Sequence, residues 1–328
     1  MKPVVYKFGG AARTMRDRAA AIAPGGIGNI GPGLDVLGMA VSGPGDRVIA
    51  ERSTTRGVTI ASAGHAELPT DAAKNTAGIA ASAVLARAGA NDVGVSLTII
   101  KGLPLSGGQG GSAASAVAGA VAVNRLLGEP LTPLEVLACA LDAEAVVAGR
   151  HADNLAPSLF GGISLVRSVD PLDVVQLPVP HALHIVMAHP AQRLRTADAR
   201  AVLPATIPRA VLILQMANVA AMVAAFALDD LDLLGRALED HVAEPARAPL
   251  LPGFVNAKRA ALAAGALGGS ISGAGPTSFY FTNSANGAET VAEAVRRSYG
   301  DAGIECVARV AHVATRGALA LPEDATSV

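Results

Sequence analysis

The sequence predicts an α+β protein of two domains. Its 328 residues exceed what a single hydrophobic core ordinarily organises. Strand-like and helix-like segments intermix in both halves, without the regular alternation of a doubly wound sheet. Between the halves, PLDVVQLPVP (171–180) is punctuated by proline and marks a boundary. Residues 21–175 are then an N-terminal domain, 176–328 a C-terminal domain and 1–20 an N-terminal extension.

In chain order, VVYKF (4–8) reads as a short strand before a Gly-Gly turn. AAAIAPGGIGNIGPGLDVLGMAV (19–41) passes from one apolar stretch through a Gly/Pro loop into another. DRVIAER (46–52) and GVTIAS (57–62) have the β-branched density of strands. DAAKNTAGIAASAVLARAG (71–89) predicts a helix capped by Asp71 and stopped by Gly89. GVSLTIIKGLP (94–104) predicts a strand, and SAASAVAGAVAVNRLLG (112–128) an Ala-rich helix that neighbours can approach closely. In LTPLEVLACALDAEAVVAGR (131–150), Thr132 caps a helix, Pro133 opens its first turn and Glu135 completes a capping box.

GGISLV (161–166) and HALHIVMAH (181–189) read as strands. The middle of RAVLILQMANVAAMVAAFALDDLDLLGRALE (209–239) is apolar on nearly every side, which predicts burial between layers. GALGGSISGAGPTSFYFTN (265–283) sets a glycine loop before the strand TSFYF. AETVAEAVRRSYGDAG (288–303) is an amphipathic helix and ECVARVAH (305–312) a closing strand.

Composition removes several function classes. Basic and acidic side chains number 26 and 27, so no long-range field pulls the chain toward nucleic acid or an anionic membrane. Six Phe, three Tyr and no Trp supply no stacking platform for bases. Cys139 and Cys306 match no metal or redox spacing, which points to a reduced intracellular setting, with an isolated disulfide as the alternative. No uninterrupted run of eighteen apolar residues predicts a membrane span. The arginines of the first twenty residues follow the apolar part, the wrong order for a secretion signal.

Three loops attract chemistry. LPLSGGQGGSAAS (103–115) puts glycines directly before a helix. There the first N–H groups are unpaired, and a curled backbone can gather them on an anion. Ser112 falls in the first helical turn, able to cap it or to reach a metal ion carried by phosphate. The lysine of GxxxxGK[ST] is missing, and GGIGNIGPG (25–33), interrupted by Pro32, is no dinucleotide fingerprint. Asn29 and Asp35, beside those glycines, either face a cavity or satisfy a turn. VVAGRHADNLAPSLFGG (146–162) gathers His151, Asp153 and Asn154 after a helix that carries Glu144. A carboxylate at 144 could hold Mg²⁺, or the segment is a capped helix end. Arg193, Arg195, Arg200 and Arg247 offer guanidinium forks for carboxylate or phosphate, or solvate helix faces.

These motifs resemble a family. PLSGGQGGSAAS resembles the phosphate-binding motif of the galactokinase, homoserine kinase, mevalonate kinase and phosphomevalonate kinase (GHMP) superfamily, and SISGAGPTSFYF its third motif. NIGPGLDVLGMAV (29–41), KNTAGIAA (74–81), HADNLAPSLFGG (151–162) and EPARAPLLPGF (244–254) are similar to homoserine kinase signatures, in order. The resemblance covers about residues 20–315. It implies a two-domain GHMP-kinase-like fold, ribosomal-protein-like at the N-terminus and ferredoxin-like at the C-terminus. It also implies phosphorylation of the L-homoserine side-chain hydroxyl by ATP and Mg²⁺ in threonine biosynthesis, by a cytoplasmic homodimer.

Carried over by motif, Ser106, Gly107, Gly108, Gln109, Gly110, Gly111, Ser112, Ala113 and Ser115 would wrap the ATP phosphates, with Gly273 and Gly275 closing the site. Asn29, Asp35, His151, Thr196, Arg200 and Arg247 would bind homoserine: Asp35 its ammonium, Arg200 and Arg247 its carboxylate. Ser112 and Glu144 would hold the metal. Asn154, Asp153 and Ser112 are the catalytic candidates. Asn154 would aim the hydroxyl, and no general base is assigned.

The chain departs from the pattern in three places. GGIG (25–28) replaces a small hydroxyl-bearing stretch; in the phosphate loop paired serines are reduced to Gly111-Ser112 and Gln109 replaces a common leucine; and Glu144 precedes His151 by seven residues instead of eight. Either the helix ends differently or Glu144 is not the ligand. The alternatives are a kinase for another small hydroxylated metabolite, and a binding relative with weakened catalysis.

Overall fold

A computed structural model describes residues 14–147 and 149–322. The expected strand VVYKF (4–8) lies outside the described residues. β1 (Arg18–Gly28) begins inside the expected extension and continues through the loop NIGPGLD into β2 (Leu37–Ser53). β3 (Gly57–Ser62) and β4 (Gly94–Ile100) flank α1 (Thr76–Arg87), which crosses between these two parallel strands. α2 (Gly111–Leu126), α3 (Pro133–Val147) and the short α4 (Leu155–Phe160) lead into the hairpin β5 (Ile163–Val169) and β6 (Leu172–Leu177).

The chain then enters β7 (His184–Pro190), α5 (Thr196–Ala201), α6 (Arg209–Leu228), α7 (Leu231–Ala237), α8 (Ala243–Arg247) and α9 (Phe254–Ala263). β8 (Gly268–Ile271), β9 (Ser278–Thr282), α10 (Ala285–Asp301), β10 (Cys306–Ala311) and β11 (Leu319–Leu321) complete the described residues.

Two sheets result. The first follows β11-β1-β2-β4-β3, with β5 added on β2 and β6 on β5; the second is antiparallel, β10-β7-β9-β8. β6 runs through the boundary expected between 175 and 176 and pairs wholly with β5. The last strand, β11, returns to pair with β1 of the first sheet.

An alanine- and valine-rich core fills the space between the first sheet and α1–α3. Phe226, Phe279, Phe281, Met39 and Ile30 build a second core where the two sheets approach. The site lies along that seam.

Local chemistry explains the helix ends. Thr132 and Glu135 form the expected box: Thr132 N–H donates to Glu135 Oε2 at 2.7 Å and Glu135 N–H to Thr132 Oγ1 at 3.4 Å. The cap of α1 is Asn75, whose Oδ1 accepts from Ala77 and Gly78 N–H, and not Asp71. Asp71 instead closes the preceding turn, accepting from Ala73 N–H at 3.0 Å. Two capping candidates four residues apart compete, and the one beside the apolar face wins.

α6 departs from its expected burial. Only Met222, Ala225 and Phe226 are buried, while Leu212, Ile213, Leu214 and Met216 are exposed, Met216 at 62 %. Its length and composition would suffice to cross a bilayer. Yet its polar residues tie it down: Gln215 donates to Pro32 O and Asp240 Oδ1, both at 2.9 Å, and Asn218 to Glu239 O. An all-round apolar pattern asks for cover on every side, and this chain's own layers supply only one.

Candidate active site

One cavity of ≈ 410 Å³ collects the loops singled out from the sequence. Its floor is the glycine loop. Ser106, Gly108 and Gly110 all take left-handed φ, at +50°, +72° and +70°, so the chain curls through the run before α2. The loop carbonyls are spoken for from outside. Gly107 O accepts from Thr277 N–H and Oγ1, Gly108 O from Ser272 Oγ at 2.6 Å, and Gln109 O from Gly26 N–H at 3.0 Å. By contrast, no backbone N–H from Ser106 to Ala113 donates to an acceptor among the described residues. The N-cap of α2 is Gly110, which supplies no side-chain cap. Eight donors and a helix N-terminus without acceptors form an anion site. Ser112 is exposed in the first turn.

Among the expected loop contacts, Ser115 lines the cavity with its hydroxyl already engaged, and Gln109 turns elsewhere. Ser115 is buried and donates to Asp46 Oδ2 at 2.6 Å, while accepting from Lys101 Nζ at 3.0 Å. Gln109 does not line this cavity and donates to Thr277 Oγ1 at 3.4 Å.

Sequence reasoning found no lysine in the loop, and the structure brings one from the end of β4. Lys101 Nζ pairs with Asp46 and donates to Gly111 O at 3.1 Å. Asp46 is fully buried, and its Oδ1 also accepts from Gly102 and Leu103 N–H. This brace under the helix start joins residues 55 apart in sequence, so no local signal exposed it. The only hint was a lysine between a strand and a glycine loop.

The HADN knot faces the loop. A Cβ at Gly110 would stand 3.0 Å from Asn154 Oδ1. At Gly28 it would meet Asn154 Nδ2 at 2.2 Å, and at Gly38 the Asp153 carbonyl oxygen at 1.6 Å. Gly28, the last residue of GGIG, thus leaves room that the knot occupies. Asp153 is buried, and its Oδ2 accepts from Asn29 N–H at 3.0 Å and Asn154 Nδ2 at 3.2 Å.

α3 ends at Val147, three residues past Glu144. Gly149, at φ +109°, donates back to Glu144 O, which turns the chain so that His151 Nδ1 lies 3.9 Å from Glu144 Oε1 and 3.5 Å from Asp153 Oδ1. With the helix ended there, the seven-residue spacing brings Glu144 to the knot. Burial pushes the Glu144 carboxyl up to about 7, opposed by His151. Burial works against the His151 imidazolium, but Asp153 and Glu144 together raise its pKa. Glu144 Oε2 is buried with no hydrogen-bond partner. Asp35, His151 and Asp153 offer ligand atoms within 4.8 Å of one another. An orphaned carboxylate oxygen in an acidic cluster suits a hard divalent cation.

The opposite wall comes from the C-terminal half. Arg200, from α5, forks Asp35 with Nη2–Oδ1 at 2.7 Å and Nη1–Oδ2 at 3.2 Å, and Asp35 raises its pKa. Asn29 answers the question of cavity or turn by spanning elements. Its Oδ1 accepts from Asp35 N–H at 2.8 Å and its Nδ2 donates to Gly273 O at 3.1 Å. Arg247 is 3 % exposed, donating to Ala199 O at 3.1 Å and Gly273 O at 2.9 Å, with no acidic partner among the described residues. Burial lowers its pKa. Asp240 accepts from Val242, Ala243 and Glu244 N–H and so sets α8, which presents Arg247. Thr196, Gly273 and Gly275 line the same cavity. Arg193 and Arg195 instead pair with Glu67 and Asp198 on the surface.

The cavity therefore offers an anion cradle, a buried uncompensated guanidinium, an exposed-edge carboxylate already paired, and an amide aimed between them. Comparisons with known proteins place the chain in one family. The family model "GHMP kinases N terminal domain" matches residues 75–162 and "GHMP kinases C terminal" matches 222–301. Homoserine kinase of Chlorobium phaeobacteroides is 42 % identical over 299 residues, covering 88 % of this chain and 92 % of that protein. Homoserine kinase of Xanthomonas campestris is 40 % identical, covering 92 % of each. The crystal structure of homoserine kinase from Cytophaga hutchinsonii superposes with a TM-score of 0.90 at 41 % identity, covering 94 % of this chain and 99 % of that one. L. major mevalonate kinase shares the fold at a TM-score of 0.68 and 17 % identity.

Proposed function

The chain belongs to the homoserine kinases of the GHMP kinase family, and from that premise we propose that its cavity transfers the γ-phosphoryl group of ATP to the side-chain hydroxyl of L-homoserine. The products are O-phospho-L-homoserine and ADP, a step of threonine biosynthesis. The two-domain GHMP-kinase fold expected from the motifs is the fold observed. The observation that supports this reading most is the run of unengaged N–H donors at 106–113 meeting Asn154 across Gly110.

The residue roles follow from chemistry. The N–H groups of the glycine loop and the start of α2 bind and align the phosphates, which is most of what phosphoryl transfer asks of a protein. Arg247, buried without an acid, takes the homoserine carboxylate. Arg200 and Asp35 open their own pair to meet the substrate's carboxylate and ammonium, an exchange of one charge pair for two. Asn154 orients the hydroxyl toward the cradle. Attack forms the new O–P bond as the bond to the ADP oxygen breaks, and the hydroxyl proton is released. Asp153 Oδ2 accepts from Asn29 N–H and Asn154 Nδ2 and so holds Asn154 in place, while Oδ1 faces His151 Nδ1 at 3.5 Å. Glu144 and Ser112 would hold Mg²⁺, which neutralises phosphate charge when bound.

We further infer a cytoplasmic homodimer in which a second copy covers the exposed apolar side of α6. Sedimentation of the purified chain and of Met216→Glu tests that face. A dimer lost in the variant supports it, and a wild-type monomer contradicts it. For the reaction, incubation with ATP, Mg²⁺ and L-homoserine should give a phosphomonoester coupled to the side-chain methylene in ³¹P–¹H spectra. No such coupling, with ATP hydrolysed or intact, refutes the reading.

A further inference from the structure

A second cleft, ≈ 770 Å³, opens where the end of β4 faces β7 and β10. Lys101, Pro104 and Leu105 are shared with the catalytic cavity, and the remaining lining is separate. His65, Lys101, His189, Arg193 and Arg309 line it, with no Asp or Glu among the lining residues. Two of these charges are already compensated, Lys101 by Asp46 and Arg193 by Glu67. Arg309 is not. Its Nη1 donates to Ser42 O at 2.7 Å, and it forms no ion pair among the described residues. Its guanidinium is half-buried on β10, and burial lowers its pKa. A desolvated cation with no counter-charge is costly, and an anion in the cleft would offset that cost.

The cleft also touches the back of the glycine loop. Gln109, standing where the family motif commonly carries leucine, lines it and donates to Thr277 Oγ1. Thr277 holds Gly107 O and lies 2.9 Å from His189 Nδ1. A ligand here would bear on groups that hold the loop carbonyls outward.

We propose that this cleft is an effector site for a small dianionic metabolite carrying a phosphate or paired carboxylates, anchored by Arg309 and coupled to the nucleotide loop through His189, Thr277 and Gln109. The coupling rests on the reading of that loop as the nucleotide site, whereas the binding does not. Inorganic phosphate and malonate, titrated calorimetrically into the full chain saturated with MgADP, test it and separate the two chemistries. The expected result is one site for at least one probe, weakened about tenfold or more in Arg309→Met. Val307→Glu, which sets a carboxylate at an exposed edge of the cleft, should weaken it likewise. Ser112→Ala, altered only in the catalytic cavity, should bind as the wild type does. In the wild type, the bound probe should also shift the KM for ATP, and in Arg309→Met it should not. Absence of binding in the millimolar range overturns the proposal, as does binding undiminished in both cleft variants. Binding that persists without any homoserine phosphorylation would sink the functional reading and leave the site standing.

Discussion

Arg247→Leu isolates the carboxylate end of the acceptor pocket. The guanidinium is 3 % exposed, spends two donors on Ala199 O and Gly273 O, and faces no acid among the described residues. Leucine removes the charge that meets the homoserine carboxylate. A charge-assisted contact of this kind contributes about 1.5–3 kcal/mol, so homoserine affinity should fall roughly 10- to 150-fold. The change also takes the guanidinium donor from the Ala199 carbonyl, at about 1–3 kcal/mol, while Gly273 O keeps its bond from Asn29 Nδ2, so the melting temperature should drop as well. Arg247→Lys controls for that loss: it keeps the charge but reaches fewer acceptors, and should fall between leucine and wild type. Calorimetric titration of homoserine and of MgADP, each alone, separates the effects. MgADP affinity should change by less than about threefold, because the cradle is built from backbone N–H groups. Equal losses for both ligands in a variant that still melts cooperatively would refute the assignment. So would homoserine affinity that does not change.

Other sites make separate demands. Asp35→Ala should weaken homoserine capture and leave MgADP binding in place, read by the same paired titrations; parallel losses would return Asp35 to a structural role. Gly110→Ala must hold alanine at φ +70° with its Cβ 3.0 Å from Asn154 Oδ1, a strain of about 1 kcal/mol before any clash, and kcat should fall steeply while the far-UV spectrum stays native. Ser112→Ala should raise the Mg²⁺ concentration needed for half-maximal rate, and an unchanged requirement removes its hydroxyl from the metal. Glu144 titrates near 7 when folded and near 4.5 when unfolded, so the folded protein holds the extra proton between those values. Metal-free stability should therefore decline as pH rises from about 4.5 to about 7, by at most about 3 kcal/mol, and level off above. Urea midpoints should show this slope shrinking in Glu144→Gln; an identical slope places the titration elsewhere.

Much of the site was legible because its signals are local. The glycine loop, the Thr132–Glu135 box and the HADN knot each declare themselves within a dozen residues, through backbone freedom or capping chemistry. What the sequence hid is what folding brings together from afar. Lys101 and Asp46 meet across 55 positions, and Thr277 reaches Gly107 across 170. Gly28 reads as part of a lost hydroxyl-bearing stretch and Gly38 carries no signal, yet their value is the space they leave for Asp153 and Asn154. Gln109 sits in the right loop but on its other side, since a motif fixes the position of a residue and not the direction of its side chain. α6 misled for a different reason: apolarity reports a need for cover and is silent on whether the chain itself or a second copy provides it.

Coupled ADP release, measured across L-homoserine, L-threonine, L-serine, mevalonate and galactose with Mg²⁺ and ATP, bears most directly on the claim that the 106–113 cradle serves the alcohol held by the knot. Release dependent on L-homoserine, well above every other acceptor and abolished in Gly110→Ala, is the predicted result. Release that is indifferent to the acceptor, or faster with one of the other alcohols, would contradict it.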